Sequence, residues 1–298
     1  MISLDIHFYS YYNHPMTLNQ SENIIPFPLN DVKINQVDQI PEIEDPLYSN
    51  NWMSISPIEF SMTVENVGSF YAGGGNRIEY SPDKKADEAS LELYMNGSIY
   101  GAILHQRQIL PLHGSSFIFN HSGVMFCGDS GAGKSSLTTS FCLNGAGFLT
   151  DDVTPILFKE EKPHIWPKSG KIKLWDDSLQ QFKKEKRQLT KIRPEDEKYY
   201  LEIESNREEA FPLHTILILQ VTEDDEVSFE KVQKVEAFSY LHQEIYRREY
   251  LFAMPEAETA YLKQVSIICN EVSIYRVKRP RSIAINHMRN VIKQFLAG

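Results

Sequence analysis

The sequence lacks the features that mark secreted, membrane and metal-binding proteins. Cysteine occurs three times in 298 residues, with neither CxxC nor metal-ligand spacing, so these side chains are expected to be small buried hydrophobes. No apolar stretch is long enough to span a bilayer, and the chain does not open with a basic segment followed by an apolar run. We therefore expect a cytoplasmic protein with no membrane contact.

Positive charge is also scarce, because 30 Lys and Arg residues face 40 Asp and Glu residues and leave a formal charge of −10. Nucleic acids and anionic membranes both favour a basic surface, so neither is an expected partner. The sequence contains no internal repeat and no low-complexity tract. Its length allows one large domain or two modest ones.

One eight-residue stretch fits the phosphate-loop pattern GxxxxGK[ST]. It consists of Gly128, Asp129, Ser130, Gly131, Ala132, Gly133, Lys134 and Ser135. In such a loop the backbone N–H groups converge on phosphate oxygens, the lysine bridges the outer phosphates and the serine hydroxyl ligates Mg²⁺. A Gly/Ser-rich turn without a ligand is the alternative.

The flanking residues favour the nucleotide-binding interpretation. Residues 123–127 form a short apolar run that predicts a buried strand, and residues 136–143 predict a helix that Asn144 and Gly145 end. A phosphate loop requires this order of strand, loop and helix. The sequence therefore predicts a nucleotide site, and Ser136 at the start of the helix is counted among its residues.

The remainder of the chain mixes strands and helices, with a large share of strand. Before the loop, the sequence predicts strands at 4–9, 59–64, 69–71, 77–80 and 110–119, a glycine hairpin at 73–76, an acidic turn-rich loop at 29–51, and a helix at 89–110 with an interruption at Asn96 and Gly97. After the loop, it predicts strands at 147–150, 153–158, 165–167, 172–175, 212–219, 227–229 and 272–277, and helices at 177–186, 234–251, 258–269 and 282–296. These patterns predict an α/β nucleotide-binding domain at 105–298, preceded by a small mostly-β region at 1–104.

Two adjacent carboxylates, Asp151 and Asp152, follow the predicted strand at 147–150. Adjacent side chains on a strand point to opposite faces, so both can serve one site only where the strand ends or bends. One carboxylate could then lie near the metal while the other accepts a proton from an attacking hydroxyl. A solvated surface pair is the alternative, and the neighbouring phosphate loop favours the catalytic interpretation.

His113 is the third candidate for the site. It lies on the predicted strand that precedes the phosphate-loop strand in sequence, so its side chain could approach the phosphates. A satisfied structural histidine is the alternative.

Together, His113-Gly114, the phosphate loop and Asp151-Asp152 resemble the catalytic domain of the HPr kinase/phosphorylase family, which is related to the ATP-dependent phosphoenolpyruvate carboxykinases. The order and spacing match over residues 112–153. The resemblance implies a strand-rich α/β phosphate-loop domain of that type, which transfers the γ-phosphate of ATP to a serine hydroxyl. It implies Asp151 as general base, Asp152 with Ser135 at Mg²⁺, and His113 and Lys134 at the phosphates. Family members form hexamers, so the resemblance also allows a homo-oligomer.

The segments after the aspartates resemble divergent HPr-kinase-like proteins. These segments are residues 171–178, 198–201 and 275–280, and Ser136 stands where members that act on HPr usually have glutamate. Many of the divergent proteins accompany ribosomally made peptides, and they include kinases of the C-terminal serine of lasso-peptide precursors. The resemblance therefore implies a peptide or small-protein acceptor that offers a serine.

Two groups of cations outside the motif are weaker candidates. The lysines are Lys171, Lys173 and Lys198, and the cations of the last predicted strand and its end are Arg276, Lys278, Arg279 and Arg281. The lysines could reach phosphate or an acidic substrate tail, and the second group could offset negative charge in a transition state. Solvated side chains are the alternative for both groups.

Three functions remain open at this point. The first is a serine kinase acting on a peptide or small protein, and the second is a kinase of a small molecule such as free serine. The third is a nucleotide-binding regulatory protein without transfer activity. The presence of Lys134, Ser135 and Asp151 favours an enzyme.

Overall fold

A computed structural model describes residue 29 and residues 31–168, 170–183, 189–192, 197–204 and 209–298. The strand predicted at 4–9 and the end of the helix predicted at 177–186 lie outside these residues. The chain divides into two compact units, Met1–Pro111 with Arg247–Leu262, and Leu112–Tyr246 with Lys263–Gly298. The domain bounds expected from the sequence, 1–104 and 105–298, stay a prediction.

The first unit contains a sheet in which the described strands follow the order β1-β6-β5-β4-β3-β2. The strands are β1 (Lys33–Gln36), β2 (Tyr48–Ser49), β3 (Met53–Ile55), β4 (Glu59–Val64), β5 (Gly68–Gly73) and β6 (Arg77–Pro82). β1 pairs parallel to β6, whereas the other neighbours pair antiparallel. The strands and the glycine hairpin predicted between 59 and 80 are confirmed. The loop predicted at 29–51 instead contains the short strands β1 and β2.

The helix predicted at 89–110 is shorter and is not α-helical throughout. It consists of α1 (Glu88–Tyr94), a π-helical turn (Met95–Ile99) and α2 (Tyr100–Gln106). The Asp87 side chain caps its start by accepting a hydrogen bond from the Ser90 N–H at 2.9 Å. The π turn takes the place of the predicted interruption. The prediction was wrong at the C-terminal end, where Gln108 has a φ of 55° that a helix cannot continue.

A distant segment of the sequence completes the core of the first unit. The Tyr250 ring, which is fully buried, packs against Phe60 with 4.5 Å between ring centroids. The Tyr261 hydroxyl lies 3.1 Å from His105 Nδ1 and donates a hydrogen bond to the Ile109 carbonyl oxygen at 3.0 Å. Arg247–Leu262 is therefore part of this unit although 135 residues of the second unit precede it.

The second unit carries the phosphate-loop motif. Its strands are β7 (Leu110–His113), β8 (Ser115–Phe119), β9 (Ser122–Gly128), β10 (Gly147–Thr150), β11 (Val153–Lys159), β12 (Lys162–Ile165), β13 (Lys171–Trp175), β14 (Thr190–Lys191), β15 (Lys198–Glu202), β16 (Phe211–Thr222), β17 (Ser228–Lys231) and β18 (Ser273–Pro280). Its helices are α3 (Lys134–Cys142), α4 (Asp176–Gln181), α5 (Lys234–Gln243), α6 (Pro255–Glu271) and α7 (Ile285–Ala297). β7 and α6 extend across the division between the units. The mixture confirms the predicted α/β class, and the HPr kinase type of fold stays a prediction.

The described strands of the main sheet follow the order β10-β8-β9-β16-β12-β11-β7, and β18 pairs with β16 and β17. Three parallel strands bring the motif to one edge of this sheet. β16 pairs parallel to both β9 and β18, so the carboxyl ends of all three strands meet at that edge, where α/β sheets bind ligands. Behind the edge, Phe117, Phe126 and Phe141 form a buried cluster against α3 and α7. This packing fixes the strand before the loop and the helix after it.

Two predicted elements of the second unit are interrupted. The strand predicted at 110–119 is interrupted at Gly114, whose backbone N–H donates a hydrogen bond to the Asp152 carbonyl oxygen at 3.3 Å. Only glycine fits there, because a Cβ would lie 2.7 Å from the Phe126 carbonyl oxygen. The helix predicted at 234–251 ends at Gln243, and Arg247 has a left-handed φ of 53°. A 3-10 helix (Arg248–Ala253) follows. In the described residues, no helix is long and apolar enough to cross a membrane.

Candidate active site

The phosphate-loop motif lies between β9 and α3, as the sequence predicts. Gly128, Gly131 and Gly133 all have left-handed backbone φ values, of 133°, 83° and 97°. At Gly128 a Cβ would lie 2.5 Å from the Leu219 carbonyl oxygen on β16, so only glycine fits there. At Gly131 nothing lies within 4 Å of a Cβ position. This backbone leaves room for a ligand to approach the loop closely.

The Lys134 side chain is buried inside the curve of this loop. Its ammonium donates hydrogen bonds to the Gly128 carbonyl oxygen at 2.5 Å and to the Asp129 carbonyl oxygen at 3.2 Å. Main-chain carbonyls, which carry no full charge, are weak partners for an ammonium ion compared with an anion. The lysine is therefore held in place by partners that an anionic ligand could replace.

Asp151 lies directly beside the motif. Its Oδ1 accepts a hydrogen bond from the Ser135 hydroxyl at 2.7 Å, and its Oδ2 accepts one from the Lys173 backbone N–H at 2.9 Å. Burial raises the pKa of Asp151 above its ordinary value, and the charge of Asp152 adds to that effect. A carboxylate with a raised pKa is a better proton acceptor than an exposed aspartate.

Asp152 has the opposite electrostatic character. Its Oδ2 accepts a 2.6 Å hydrogen bond from the Lys173 ammonium, and its Oδ1 lies 3.5 Å from His113 Nδ1. Burial alone would raise the pKa of Asp152, but the charge and hydrogen bond of Lys173, with His113 and Lys198, hold it well below its usual range. Asp152 is therefore an anion at neutral pH.

The backbone explains how two adjacent aspartates reach one site. Asp152 has a left-handed φ of 70°, and it lies between the end of β10 at Thr150 and the start of β11 at Val153. The chain bends there, so both aspartate side chains can reach one site. Asp is among the few residue types that adopt this conformation at low cost.

His113 lies against the Asp152 backbone. Its Nδ1 is 3.1 Å from the Asp152 carbonyl oxygen, its backbone N–H donates to the Glu244 carbonyl oxygen at 2.7 Å, and its ring stacks on Tyr246. Burial lowers the pKa of His113, and the positive charge of Lys134 lowers it further. The imidazole is therefore neutral near pH 7 and keeps Nε2 for a ligand.

Most of the predicted site residues surround a cavity of about 210 Å³. The predicted residues that line it are His113, Ser130, Gly131, Gly133, Lys134, Ser135, Ser136, Asp151 and Asp152. The other three predicted residues lie in the loop behind it, where the carbonyl oxygens of Gly128 and Asp129 accept from Lys134 and that of Ala132 accepts from Arg279. The structure therefore brings the three sequence elements together.

A small sheet supplies the side of the cavity that the motif does not. β13 pairs with β15 and β15 with β14, and the apolar face of this sheet packs on Phe148. The opposite face and the start of α4 contribute Lys173, Trp175, Asp177, Ser178 and Lys198 to the cavity. Only the two lysines were candidates from the sequence. The strict alternation in the segment 171–175 was the available signal, because it separates a buried face from a polar one.

Glu244 is a further carboxylate that the sequence did not indicate. It follows α5, and its backbone carbonyl accepts from the His113 N–H. Burial raises the pKa of its carboxyl group, while hydrogen bonds from Tyr240 and from the Gly128 backbone, and the charge of Lys134, act against the increase. This side chain therefore supports the first residue of the loop from behind.

Replacing Lys173 by methionine should lower the free energy of unfolding by about 3 kcal/mol at pH 7, because the Asp152 carboxylate loses its cation. The folded-state pKa of Asp152 is depressed, so the ion pair stabilises the fold above an unfolded pKa of roughly 4 and less so below it. Without Lys173, Asp152 would protonate as the pH falls and the cost would disappear. Urea unfolding of both proteins at pH 7 and pH 4 should show the difference shrinking.

Lys171→Met is the matched control, because Lys171 lies two residues earlier on the same face of β13. Its ammonium is 5.6 Å from the centroid of the Tyr200 ring, and it does not line the cavity. This change should cost less than about 1 kcal/mol at either pH. An equal loss of stability at pH 7 and pH 4 in the Lys173 variant would contradict the ion-pair explanation.

The donor set fits Mg²⁺ and a nucleoside triphosphate. Among the described residues, no group of three or more His, Cys, Asp and Glu side chains is arranged to hold a metal ion by itself. Mg²⁺ in nucleotide sites is usually held by one or two protein oxygens together with phosphates. Ser135, Asp151 and Asp152 offer oxygens of this kind, and the open backbone at Gly131 would admit the phosphates.

Comparisons with known proteins add little to this geometry. No protein-family model and no curated protein matches the sequence. A solved structure of the Hpr(Ser) kinase/phosphatase from Coxiella burnetii is similar to this chain at 10% identity, over 63% of this chain and 93% of that one, with a TM-score of 0.32. A similarity at this level does not establish a shared fold, so function rests on the site.

Proposed function

We propose that this protein is a kinase that uses ATP and Mg²⁺ to phosphorylate a serine hydroxyl on a peptide or small protein, on a domain of the HPr kinase type. The observation that carries the proposal is the 2.7 Å hydrogen bond between the Ser135 hydroxyl and Asp151. It joins the residue expected at Mg²⁺ to the carboxylate expected to be the base, next to the buried Lys134. Phosphoryl transfer needs these three groups close together.

The binding roles follow from the loop and its neighbours. The loop N–H groups and the Lys134 ammonium would hold the phosphates, and Ser135 with Asp152 would hold Mg²⁺. Bound Mg²⁺–ATP supplies the phosphoryl group to be transferred. Asp152 suits a cation because its low pKa keeps it ionised. Neutral His113 would lie beside the phosphates without adding charge, and because its Nδ1–H is directed at the Asp152 carbonyl oxygen, its Nε2 can accept a hydrogen bond there.

Asp151 is the proposed general base. Its two oxygens accept one hydrogen bond each, and a carboxylate has about four lone-pair sites, so it can also accept the proton of an acceptor hydroxyl. Its raised pKa brings its basicity nearer to neutral pH. Asp152, whose pKa is depressed by Lys173, is a poorer base.

A free small molecule is the second candidate acceptor. The cavity of about 210 Å³ is smaller than the roughly 300–1,000 Å³ of most ligand pockets, so its enclosed part suits a phosphate group with a compact acceptor. In favour of a peptide, the Trp175 side chain lines the cavity and is 48% exposed. An exposed tryptophan offers apolar surface to a chain that extends out of the cavity.

The test is incubation of the protein with ATP, MgCl2 and serine-containing peptides encoded beside its gene, followed by intact-mass spectrometry. Addition of one or more phosphates to a peptide serine is the expected result. Free serine, assayed through ATP consumption, is the parallel reaction. Transfer to free serine alone would support the small-molecule kinase, and tight ATP binding without any turnover would support a regulatory protein.

A further inference from the structure

The positively charged residues at the end of β18 have different surroundings. Arg276 forms ion pairs with two glutamates, Glu230 and Glu236. Arg281 has a side chain that is 75% exposed and pairs with Glu223 at 3.4 Å. Arg279 instead lies against the phosphate loop. Of these three arginines, Arg279 is therefore the one that contacts the phosphate loop.

The Arg279 guanidinium is fixed on the loop by directed hydrogen bonds. Its Nε donates to the Ala132 carbonyl oxygen at 2.9 Å, and its Nη1 lies 3.3 Å from the Pro280 carbonyl oxygen. A Cβ at Gly133 would lie 3.4 Å from Nη2. Within the described part of the chain, Nη2 makes no hydrogen bond. One edge of a fixed cation thus remains available beside the loop.

The strand order explains why this arginine reaches the loop. Val277 is fully buried in the core behind the loop, and side chains two residues apart on a strand share a face. Arg279 therefore leaves the same face as Val277, at the carboxyl end of β18. That end lies at the same edge of the sheet as the end of β9, because both strands run parallel to β16.

The side chains that line the cavity carry a balanced set of charges. Lys134, Lys173 and Lys198 line it, but so do the carboxylates Asp151, Asp152 and Asp177. Equal numbers of positive and negative groups leave little net charge for a ligand that carries several negative charges. An arginine at the edge of the loop adds positive charge, and its planar group can donate to the loop and to phosphate at once.

We infer that Arg279 is a nucleotide-binding residue outside the phosphate-loop motif. Its Nε–H donates to the Ala132 carbonyl oxygen, and its Nη2, beside Gly133, donates to the bound nucleotide. The inference rests on the proposed function in taking ATP as the ligand. It assigns no role in the transfer step to Arg279.

The test is calorimetric titration of the full chain with ATP in the presence of MgCl2. Arg279→Gln should raise the dissociation constant of ATP about tenfold, as expected for loss of a hydrogen bond to a charged group. Arg279→Lys keeps the charge but loses the planar set of N–H donors, so we expect the dissociation constant to rise about threefold. Arg281→Gln is the matched control and should change it less than about twofold. Melting temperatures without nucleotide check that each variant is folded.

The outcomes separate this inference from the proposed function. If the wild type binds ATP and Arg279→Gln binds it equally well, the inference is wrong and the kinase proposal stands. If Arg281→Gln weakens binding as much as Arg279→Gln, general surface charge is the cause and the inference is wrong. If the wild type binds no ATP, the kinase proposal itself fails. Should Arg279→Gln not fold, the lysine variant decides, and wild-type affinity in that variant would overturn the inference.

Discussion

Replacement of Asp151 by asparagine should slow phosphate transfer by roughly a thousandfold, the loss typical of a missing general base. Asparagine has nearly the same shape, and its carbonyl oxygen can still accept from the Ser135 hydroxyl or the Lys173 N–H. It cannot take up the acceptor proton near neutral pH. ATP affinity should therefore change little, about threefold or less. Calorimetry for ATP and a transfer assay on the wild-type acceptor measure the two effects.

Asp177→Asn is the control for this change, because Asp177 lines the same cavity. Its Oδ1 accepts a hydrogen bond from the Ser178 N–H of its own helix turn at 2.6 Å. We expect its transfer rate to fall less than about tenfold. Near wild-type transfer by the Asp151 variant would remove Asp151 from the role of base. Equal losses in both variants would indicate a general effect of charge in the cavity.

Asp151→Asn should also make the protein more stable at neutral pH. The folded-state pKa of Asp151 is raised, so the folded protein binds a proton there more readily than the unfolded chain does. Above the unfolded pKa the ionised group therefore opposes folding, and the penalty disappears as the pH falls. A neutral amide removes this penalty at every pH.

The transfer rate of the wild type should fall on acidification, because Asp151 becomes protonated. The midpoint of this fall should lie above the ordinary pKa of aspartate.

Replacement of Lys134 by alanine should weaken ATP binding about a hundredfold and reduce transfer with it. The ammonium is buried in the loop, where two carbonyl oxygens hold it. Its removal takes away a cation from the place where the outer phosphates are expected, and buried charge-assisted contacts are costly to lose. ATP titration of the variant in MgCl2 gives the size of the loss.

Lys198→Gln provides the comparison, since Lys198 also lines the cavity but its ammonium lies over the Trp175 ring, 5.3 Å from its centroid. We expect a loss of ATP affinity below about fivefold there. Unchanged ATP affinity and transfer in the Lys134 variant would refute the phosphate-loop interpretation of residues 128–135. A loss of transfer at unchanged affinity would instead restrict Lys134 to the transfer step.

Local patterns explain what could be predicted from the sequence. The run from β9 through the loop into α3 is contiguous, and its glycines, lysine and flanking apolar residues each carry a local signal. The bend at Asp152 was expected because two adjacent carboxylates can share a site only where a strand ends. The helix near 89–110 was recognised by its periodicity, although its end was not.

The sequence offered Lys173 and Arg279 only as weak candidates and did not indicate Glu244, because long-range pairing positions all three. Lys173 reaches both aspartates only because β13 pairs with β15 and the opposite face of that sheet is buried on Phe148. Arg279 reaches Ala132 across 147 residues of sequence. The position of Glu244 depends on where α5 ends, and the apolar spacing had predicted that this helix continues to residue 251. Contacts of this kind follow from the sheet order, which local spacing does not encode.

The return of Arg247–Leu262 to the first unit has a consequence for anyone who wishes to express the nucleotide-binding part alone. A fragment that starts at Leu112 would still carry this segment, and with it the Tyr250 and Tyr261 rings that Phe60 and His105 cover in the whole chain. Two large aromatic side chains would then face solvent, which favours aggregation. A usable fragment therefore needs an internal deletion that removes these two rings rather than a simple truncation.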